Sequence, residues 1–450
     1  MIRGEHSKGR SLTRRGLKLA SVVAAGALAL TACSSSGHSG GVSTTVASSS
    51  SPVGGTIAPP AKVTGTLTGP GVTATTITLG QITTITGPVP GLFQGANDGL
   101  DSWAAWVNAN GGIDGRQVVI KHVDDGFNCS TYRNAMEQFA TTAFAVVGNF
   151  TLEDTCGKQV LAAHPDLLDL QAAVLDPTLY SIPNVYTATP NPPGAATTGL
   201  MYLKTKYPAA VSHAAELVGA AAAANGKEEL LTAESIGYKY VYVRDVPDLT
   251  TNFTSEILRM KAAHVQFVDM SALAVTSDAN FLQQAAQQDF HPTVLYGTSS
   301  YDAQLFKLLG GTSVANDVVW AALPYTLYLG QDRATVPAVN TFLTWMQKTR
   351  PGNTANLFAV EAWAAGQLLA TAMQKAGSSI TPSTVAQAIG GINSFNAEGL
   401  IASTNPGQKQ GANCVVLATV QNMAWVRAYP SSGFDCSGAY HNIPIAQITG

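Results

Sequence analysis

The chain has 450 residues, 46% hydrophobic and 12% charged, with a formal net charge of −3. That length exceeds what one hydrophobic core serves and fits two domains plus extensions. Arg3, Lys8, Arg10, Arg14, Arg15 and Lys18 stand against Glu5 in the first 32 residues, which leaves the rest at about −8 and excludes nucleic acid or an anionic lipid surface as its partner.

The chain opens with a leader. A basic segment precedes an apolar run at 19–30, shorter than the ~18 residues of a spanning helix, so residues 1–32 read as a secretory signal. Leu30-Thr31-Ala32-Cys33 is similar to a bacterial lipobox, which implies that Cys33 takes the lipid and becomes the mature N-terminus. Thr13-Arg14-Arg15 is compatible with twin-arginine export, although paired arginines are ordinary in such segments. Residues 33–75 are Ser, Gly, Thr, Ala and Pro with almost no charge. They bury too little to fold and are expected to form a disordered tether with a reach of roughly 35 Å.

A βαβ unit follows. Ile77, Leu79 and Ile82 with threonines between them make a strand that Thr86-Gly87-Pro88 ends. Ala96, Leu100, Trp103 and Val107 recur at helical spacing up to Asn110-Gly111-Gly112, where glycine stops the helix. Residues 118–123 form the next strand, closing in Asp124-Asp125-Gly126. This order implies parallel pairing, with functional loops at the carboxyl ends of the strands.

These residues carry a resemblance. Gly87-Pro88, the helix entry Phe93-Gln94-Gly95, the run Asn108-Ala109-Asn110-Gly111-Gly112-Ile113-Asp114-Gly115-Arg116 and Asp124-Asp125 resemble the leucine/isoleucine/valine-binding proteins. These are type I periplasmic solute receptors of ABC importers, and the resemblance runs from about Thr76 to the end of the chain. It implies an α/β fold of two doubly wound lobes joined by a three-crossing hinge, with lobe one at 76–190, lobe two at 191–323, a return to lobe one at 324–400 and a hinge strand plus hairpin, mainly in lobe two, at 401–450.

The alternation continues with a strand at 144–148, a helix at 157–164 and strands at 167–172 and 184–187. Pro190, Pro192 and Pro193 mark a crossing. Beyond them, helices at 194–206, 221–235, 252–263, 279–288 and 301–309 alternate with strands at 213–218, 239–243, 265–270, 293–296 and 318–322, which predicts two doubly wound sheets. Helices at 336–349, 356–376 and 381–388 have no strand between them, and the resemblance returns the first two to lobe one. The hinge crossings fall near Thr189, 322–325 and 400–404.

Five cysteines suit export: one for lipid and four for two bridges, with three pairings open. Cys129 and Cys156 follow neighbouring strands, and the resembled family often has a bridge there. Cys414 and Cys436 flank a hairpin-like segment and pair most simply with each other. No short Cys/His spacing supports a metal.

The search for catalytic residues is negative: no phosphate-cradling loop, dinucleotide fingerprint, nucleophile elbow or zinc motif is present. No cofactor is expected. Glu153, Asp154, Asp302 and Glu361 are scattered acids, read as solvated. For binding, the informative loops sit at strand carboxyl ends beside helix N-termini. In lobe one they carry Thr86, Phe93, Gln94, Asn149, Phe150, Thr151, Gln171, Ala172 and Ala173. In lobe two they carry Ser271, Thr298, Ser299 and Tyr301, and the resemblance places Phe358 as an aromatic wall over the ligand.

Departures from the resembled pattern shape the expected ligand. Leu152 and Val174-Leu175 stand where amino-acid receptors hold the α-carboxylate and α-ammonium, Ser299 falls near the acidic residue that pairs the ammonium, and residues 220–224 lack the usual aromatic. A zwitterion in so dry a site is disfavoured. The expectation is a monomeric, lipid-anchored receptor on the outer face of the cytoplasmic membrane, delivering a neutral or largely apolar small molecule, such as an amino-acid-like compound, an amide, an aromatic acid or a lipid-like compound, to ABC permease subunits. A sensor outside transport and a hydrolase with paired carboxylates are the rivals.

Overall fold

Apolar strands and amphipathic helices alternate along the chain and build two parallel sheets. The computed structural model describes residues 55–448 except Ala61, Pro88, Val89, Asp248 and Ala272. The expected signal peptide, Cys33 and the first part of the expected tether lie outside the described residues.

A short strand β1 (Thr66–Leu67) precedes β2 (Thr76–Thr83), α1 (Gln94–Ala109), β3 (Gln117–Asp124), α2 (Cys129–Thr142), β4 (Ala145–Val147), α3 (Lys158–Ala163), β5 (Asp169–Gln171) and β6 (Val185–Thr187). The first sheet runs β3-β2-β4-β5-β6, parallel throughout. After β7 (Gly194–Ala196) come α4 (Thr198–Lys206), β8 (Ala214–Gly219), α5 (Ala223–Ser235), β9 (Tyr240–Val246), α6 (Thr254–Ala262), β10 (Phe267–Ser271), α7 (Val275–Gln287), β11 (Thr293–Tyr296), α8 (Gln304–Leu308) and β12 (Val319–Leu323). The parallel part of the second sheet is β9-β8-β10-β11-β12, the same order as the first. Both sheets therefore reverse direction beside their first strand, which is where doubly wound folds open a crevice.

The chain then returns to the first sheet. Helices α9 (Pro337–Thr349) and α10 (Leu357–Lys375) pack on α1, followed by β13 (Ser379–Ile380) and α11 (Pro382–Gly390). Strands β14 (Val416–Gln421) and β15 (Ala424–Tyr429) extend the second sheet as an antiparallel hairpin beside β12, and β16 (Tyr440–Asn442) with α12 (Ile445–Ile448) ends the chain. Two cysteine pairs, Cys129–Cys156 and Cys414–Cys436, stand at bonding distance.

The three crossings are tied to one another. The Thr404 hydroxyl donates to Ala188 O at 2.8 Å, Ala402 N–H donates to Pro324 O at 2.9 Å, and Thr326 N–H donates to Leu400 O at 3.1 Å. Buried Glu361 of α10 accepts from the Tyr325 hydroxyl at 2.5 Å. Burial pushes its carboxyl up to about 8, although hydrogen bonds with Tyr325 and Thr189 pull the other way.

Several expectations need correction. Helix α2 falls in a stretch given no helix above, although Tyr132, Ala135, Met136 and Phe139 bury one face at helical spacing. The 194–206 helix is a short strand followed by a helix from Thr198, because β16 pairs with Gly194–Ala196. From residue 55 onward the expected tether is packed against the first lobe. Val63 and Leu67 are buried, β1 pairs with β13, and Ile57 N–H reaches the Thr341 hydroxyl at 3.0 Å. Two apolar anchors and a strand pairing outweigh the polar composition there.

Candidate functional site

The crevice of the first sheet lies between the ends of β2 and β4. Thr84 fixes both lips of it: its N–H donates to Phe150 O at 3.2 Å and its carbonyl accepts from Phe93 N–H at 3.4 Å. A bridge from Thr83 to Phe150 prolongs the pairing of the two strands. The third contributor comes from α10, where Asn356 caps the helix by accepting from Ala359 N–H at 3.1 Å and leaves Phe358 in the first turn.

Helices α1 and α10 meet closely because glycine permits it. A Cβ on Gly95 would lie 2.1 Å from Asn356 Oδ1, and one on Gly99 would lie 2.2 Å from Ala359 O. The outcome is a three-ring cluster. Ring centres of Phe93 and Phe150 are 4.4 Å apart, Phe93 and Phe358 5.1 Å, and Phe150 and Phe358 4.7 Å. Each such pair contributes ~0.5–1.5 kcal/mol beyond its buried area. Phe93 and Phe150 are buried and Phe358 is half-buried, so Phe358 is the accessible part of this apolar wall. Leu92, Leu152, Ala173 and Leu175 pack half-buried against the same core.

The polar residues of lobe one behave differently. Asn149 and Gln171 are buried and turned inward on Asp169, at 3.4 and 2.7 Å. Burial lifts Asp169 to about 7 despite the Gln171 bond. The Thr151 hydroxyl donates to Asp125 and is buried too. Thr86 is engaged by Asp124, to which its hydroxyl donates at 2.6 Å. Burial raises the Asp124 pKa, yet the bonds from Thr86, Ile85 and Gly126 outweigh it and the net shift is downward. Gln94 donates to Asp98 at 3.1 Å. Ala172 is buried, and its carbonyl accepts from Thr187 and Thr189 at 2.9 and 3.3 Å.

In lobe two, Ser271 ends β10 at the carboxyl edge of the sheet. Thr298 and Ser299 lie half-buried in one turn of 3-10 helix after β11. Among the described residues their hydroxyls have no hydrogen-bond partner. Tyr301 differs from the expectation of a ligand-facing loop residue. It is fully buried, donates to Gln331 Oε1 at 2.6 Å and packs on Tyr328 and Trp425 at 5.0 and 5.4 Å, which makes it part of the lobe's interior.

Two of the scattered acids are buried rather than solvated. Asp154 accepts from the N–H groups of Leu175 and Asp176 at 2.9 and 3.1 Å, and Glu361 belongs to the crossings. No two of Glu153, Asp154, Asp302 and Glu361 are hydrogen-bonded to each other among the described residues. Thr84 and Asp169 escaped sequence reasoning. The signal for Asp169 was an acid inside an apolar strand pattern.

Two doubly wound α/β sheets in the same strand order, joined by three hydrogen-bonded crossings and presenting loops at their carboxyl ends, define the class of two-lobed receptor folds. The chain belongs to the periplasmic binding protein family, whose sequence pattern matches residues 76–424. Among solved structures it is similar to a fatty acid ABC transporter substrate-binding protein from Thermomonospora curvata, at 16% identity over 82% of this chain and 94% of that one, with a TM-score of 0.68. It is also similar to a branched-chain amino acid ABC transporter protein from Thermus thermophilus with bound valine (17% identity, 80% and 97% covered, TM-score 0.64). A branched-chain amino acid transporter substrate-binding protein from Streptococcus pneumoniae in complex with isoleucine gives 16% identity, 79% and 100% coverage and a TM-score of 0.63. No curated protein matches the chain by sequence.

Proposed function

We propose that the chain is an extracytoplasmic solute-binding lipoprotein of an ABC importer, anchored through Cys33, which closes on a neutral or largely apolar small molecule and presents it to permease subunits. It works without covalent chemistry and as a monomer. The observation that carries this reading is the Phe93, Phe150 and Phe358 cluster at the strand-order reversal of the first sheet. Apolar Leu152 and Leu175 stand at the positions where the resembled amino-acid receptors hold a zwitterion. Family membership supports receptor function, and likeness to a fatty acid ABC transporter substrate-binding protein is consistent with an apolar ligand.

In this reading lobe one is 76–190 with 324–400, and lobe two is 191–323 with 401–450. Rotation about the crossings brings Thr298 and Ser299 towards the phenylalanine wall. Their unengaged hydroxyls bind a polar end of the ligand, so that it touches both lobes at once. Only such two-sided contact shifts the equilibrium towards the closed form.

Calorimetry with fatty acids, aromatic amides and free amino acids tests the proposal. Tight binding of an apolar member with heat-capacity loss supports it. Tight binding of leucine or glutamate, with silence from every apolar compound, overturns it.

A further inference from the structure

The face of the second sheet covered by α4 and α5 holds a cavity unconnected with the reading above. It lies at the amino-terminal end of β12, whereas the crevice opens at the carboxyl ends of the strands. Tyr202 and Lys206 come from α4, Tyr207 follows it, Asp317 and Trp320 come from the entry into β12, and Gln421 ends β14; together they line a space of 360 Å³. That volume lies within the range of small-molecule sites.

Three features of the lining bear on what it takes. First, it is aromatic: Tyr202 and Tyr207 flank Trp320 at 6.1 and 6.0 Å, and Tyr202 stacks on Tyr429 at 4.8 Å. Second, its charges cancel: Arg427, which also lines it, is paired with Asp332, and this leaves one cation, Lys206, and one anion, Asp317. Lys206 Nζ stands 5.2 Å from the Trp320 ring centre and 5.7 Å from that of Tyr207. Neither Lys206 nor Asp317 forms an ion pair among the described residues. Third, the indole N–H of Trp320 is buried and has no acceptor at bonding distance, although the Tyr207 hydroxyl is close enough to interact with it. The Thr419 hydroxyl, by contrast, is engaged with Val319 O at 2.8 Å.

We infer that this cavity is a saccharide-binding site. A sugar ring offers C–H faces to the tyrosines and hydroxyls that both donate and accept. Those hydroxyls match the Asp317 carboxylate, the Gln421 amide, the Lys206 ammonium and the Trp320 N–H together. A hydrocarbon would leave all of these polar groups unpaired, and an aromatic acid would pair with Lys206 but leave the Asp317 carboxylate without a donor.

The test is saturation-transfer NMR with calorimetry on the mature chain, using glucose, galactose, N-acetylglucosamine and cellobiose, beside sedimentation with insoluble cellulose. Asp317 and Gln421 are exposed, and the φ of 61° at Asp317 suits glycine, so Asp317→Gly and Gln421→Ala leave the fold intact. The expected result is binding of at least one probe that weakens about tenfold in each variant and is unchanged in Phe358→Ala. A free-sugar response alone assigns the site to a soluble carbohydrate, and co-sedimentation assigns it to a polymer. The inference is overturned by silence from all probes, by loss of sugar binding in Phe358→Ala rather than in the rim variants, or by phenylacetate displacing every sugar.

Discussion

Glu361 offers the sharpest perturbation of the junction between the lobes. Burial raises its carboxyl from the ordinary 4.5 to about 8, so at neutral pH the folded chain holds it protonated while the unfolded chain ionises it. A folded pKa above the unfolded one gives stability that is complete below the unfolded value and is lost as pH rises through the folded value. At ~1.4 kcal/mol per unit, the loss between those limits reaches about 5 kcal/mol. Glu361→Gln keeps an oxygen for the Tyr325 hydroxyl and has no proton to lose. Urea unfolding of both proteins at a series of pH values should give equal stabilities near pH 4. With rising pH the variant gains by several kcal/mol relative to the parent, and the gap levels off above about pH 8. Parallel pH profiles for the two proteins, or a variant weaker at every pH, would refute the assignment of a neutral buried acid.

Further expectations follow from the same contacts. Phe150→Ala removes the ring that touches both other phenylalanines; it should cost ~3–5 kcal/mol in denaturant unfolding and abolish calorimetric binding of apolar ligands. Gly99→Ala drives a methyl into the Ala359 backbone, and a loss of ~1–3 kcal/mol is expected, read as a lower thermal midpoint with unchanged helix content by circular dichroism. Arg427 pairs with Asp332, both largely buried. Arg427→Ala leaves that carboxylate without its cation and should cost ~3–5 kcal/mol, whereas replacing both partners by apolar residues should recover most of the loss.

The parallel sheets were readable because their strands are short apolar runs between amphipathic helices, and the antiparallel hairpin because 415–420 and 425–428 are separated by only four residues, Gln421-Asn422-Met423-Ala424. Helix α2 was equally readable in principle. Its face of Tyr132, Ala135, Met136 and Phe139 was hidden among polar neighbours, and Asn128 caps its start. Phe93, Phe150 and Phe358 could each be placed at a loop or helix entry. That they touch depends on Gly95 and Gly99 bringing two helices together across some 260 residues of chain.

Side-chain direction was the harder part. Asn149 and Gln171 lie on the expected loops, yet they turn inward because buried Asp169 needs donors. Tyr301 looked like a loop aromatic, and its contacts with Gln331, Tyr328 and Trp425 come from segments remote in sequence. The packed 55–75 segment was obscured by its composition, since Val63 and Leu67 are few among Ser, Thr, Gly and Pro.

The claim on which the account rests is that an apolar ligand lies against the phenylalanine wall. Native mass spectrometry of the mature chain and its Phe150→Ala variant, each incubated with an equimolar mixture of fatty acids, aromatic amides and free amino acids, examines it directly. The account predicts a one-to-one adduct with an apolar compound that is absent from the variant. An adduct with a free amino acid, or an apolar adduct retained in full by the variant, would contradict it.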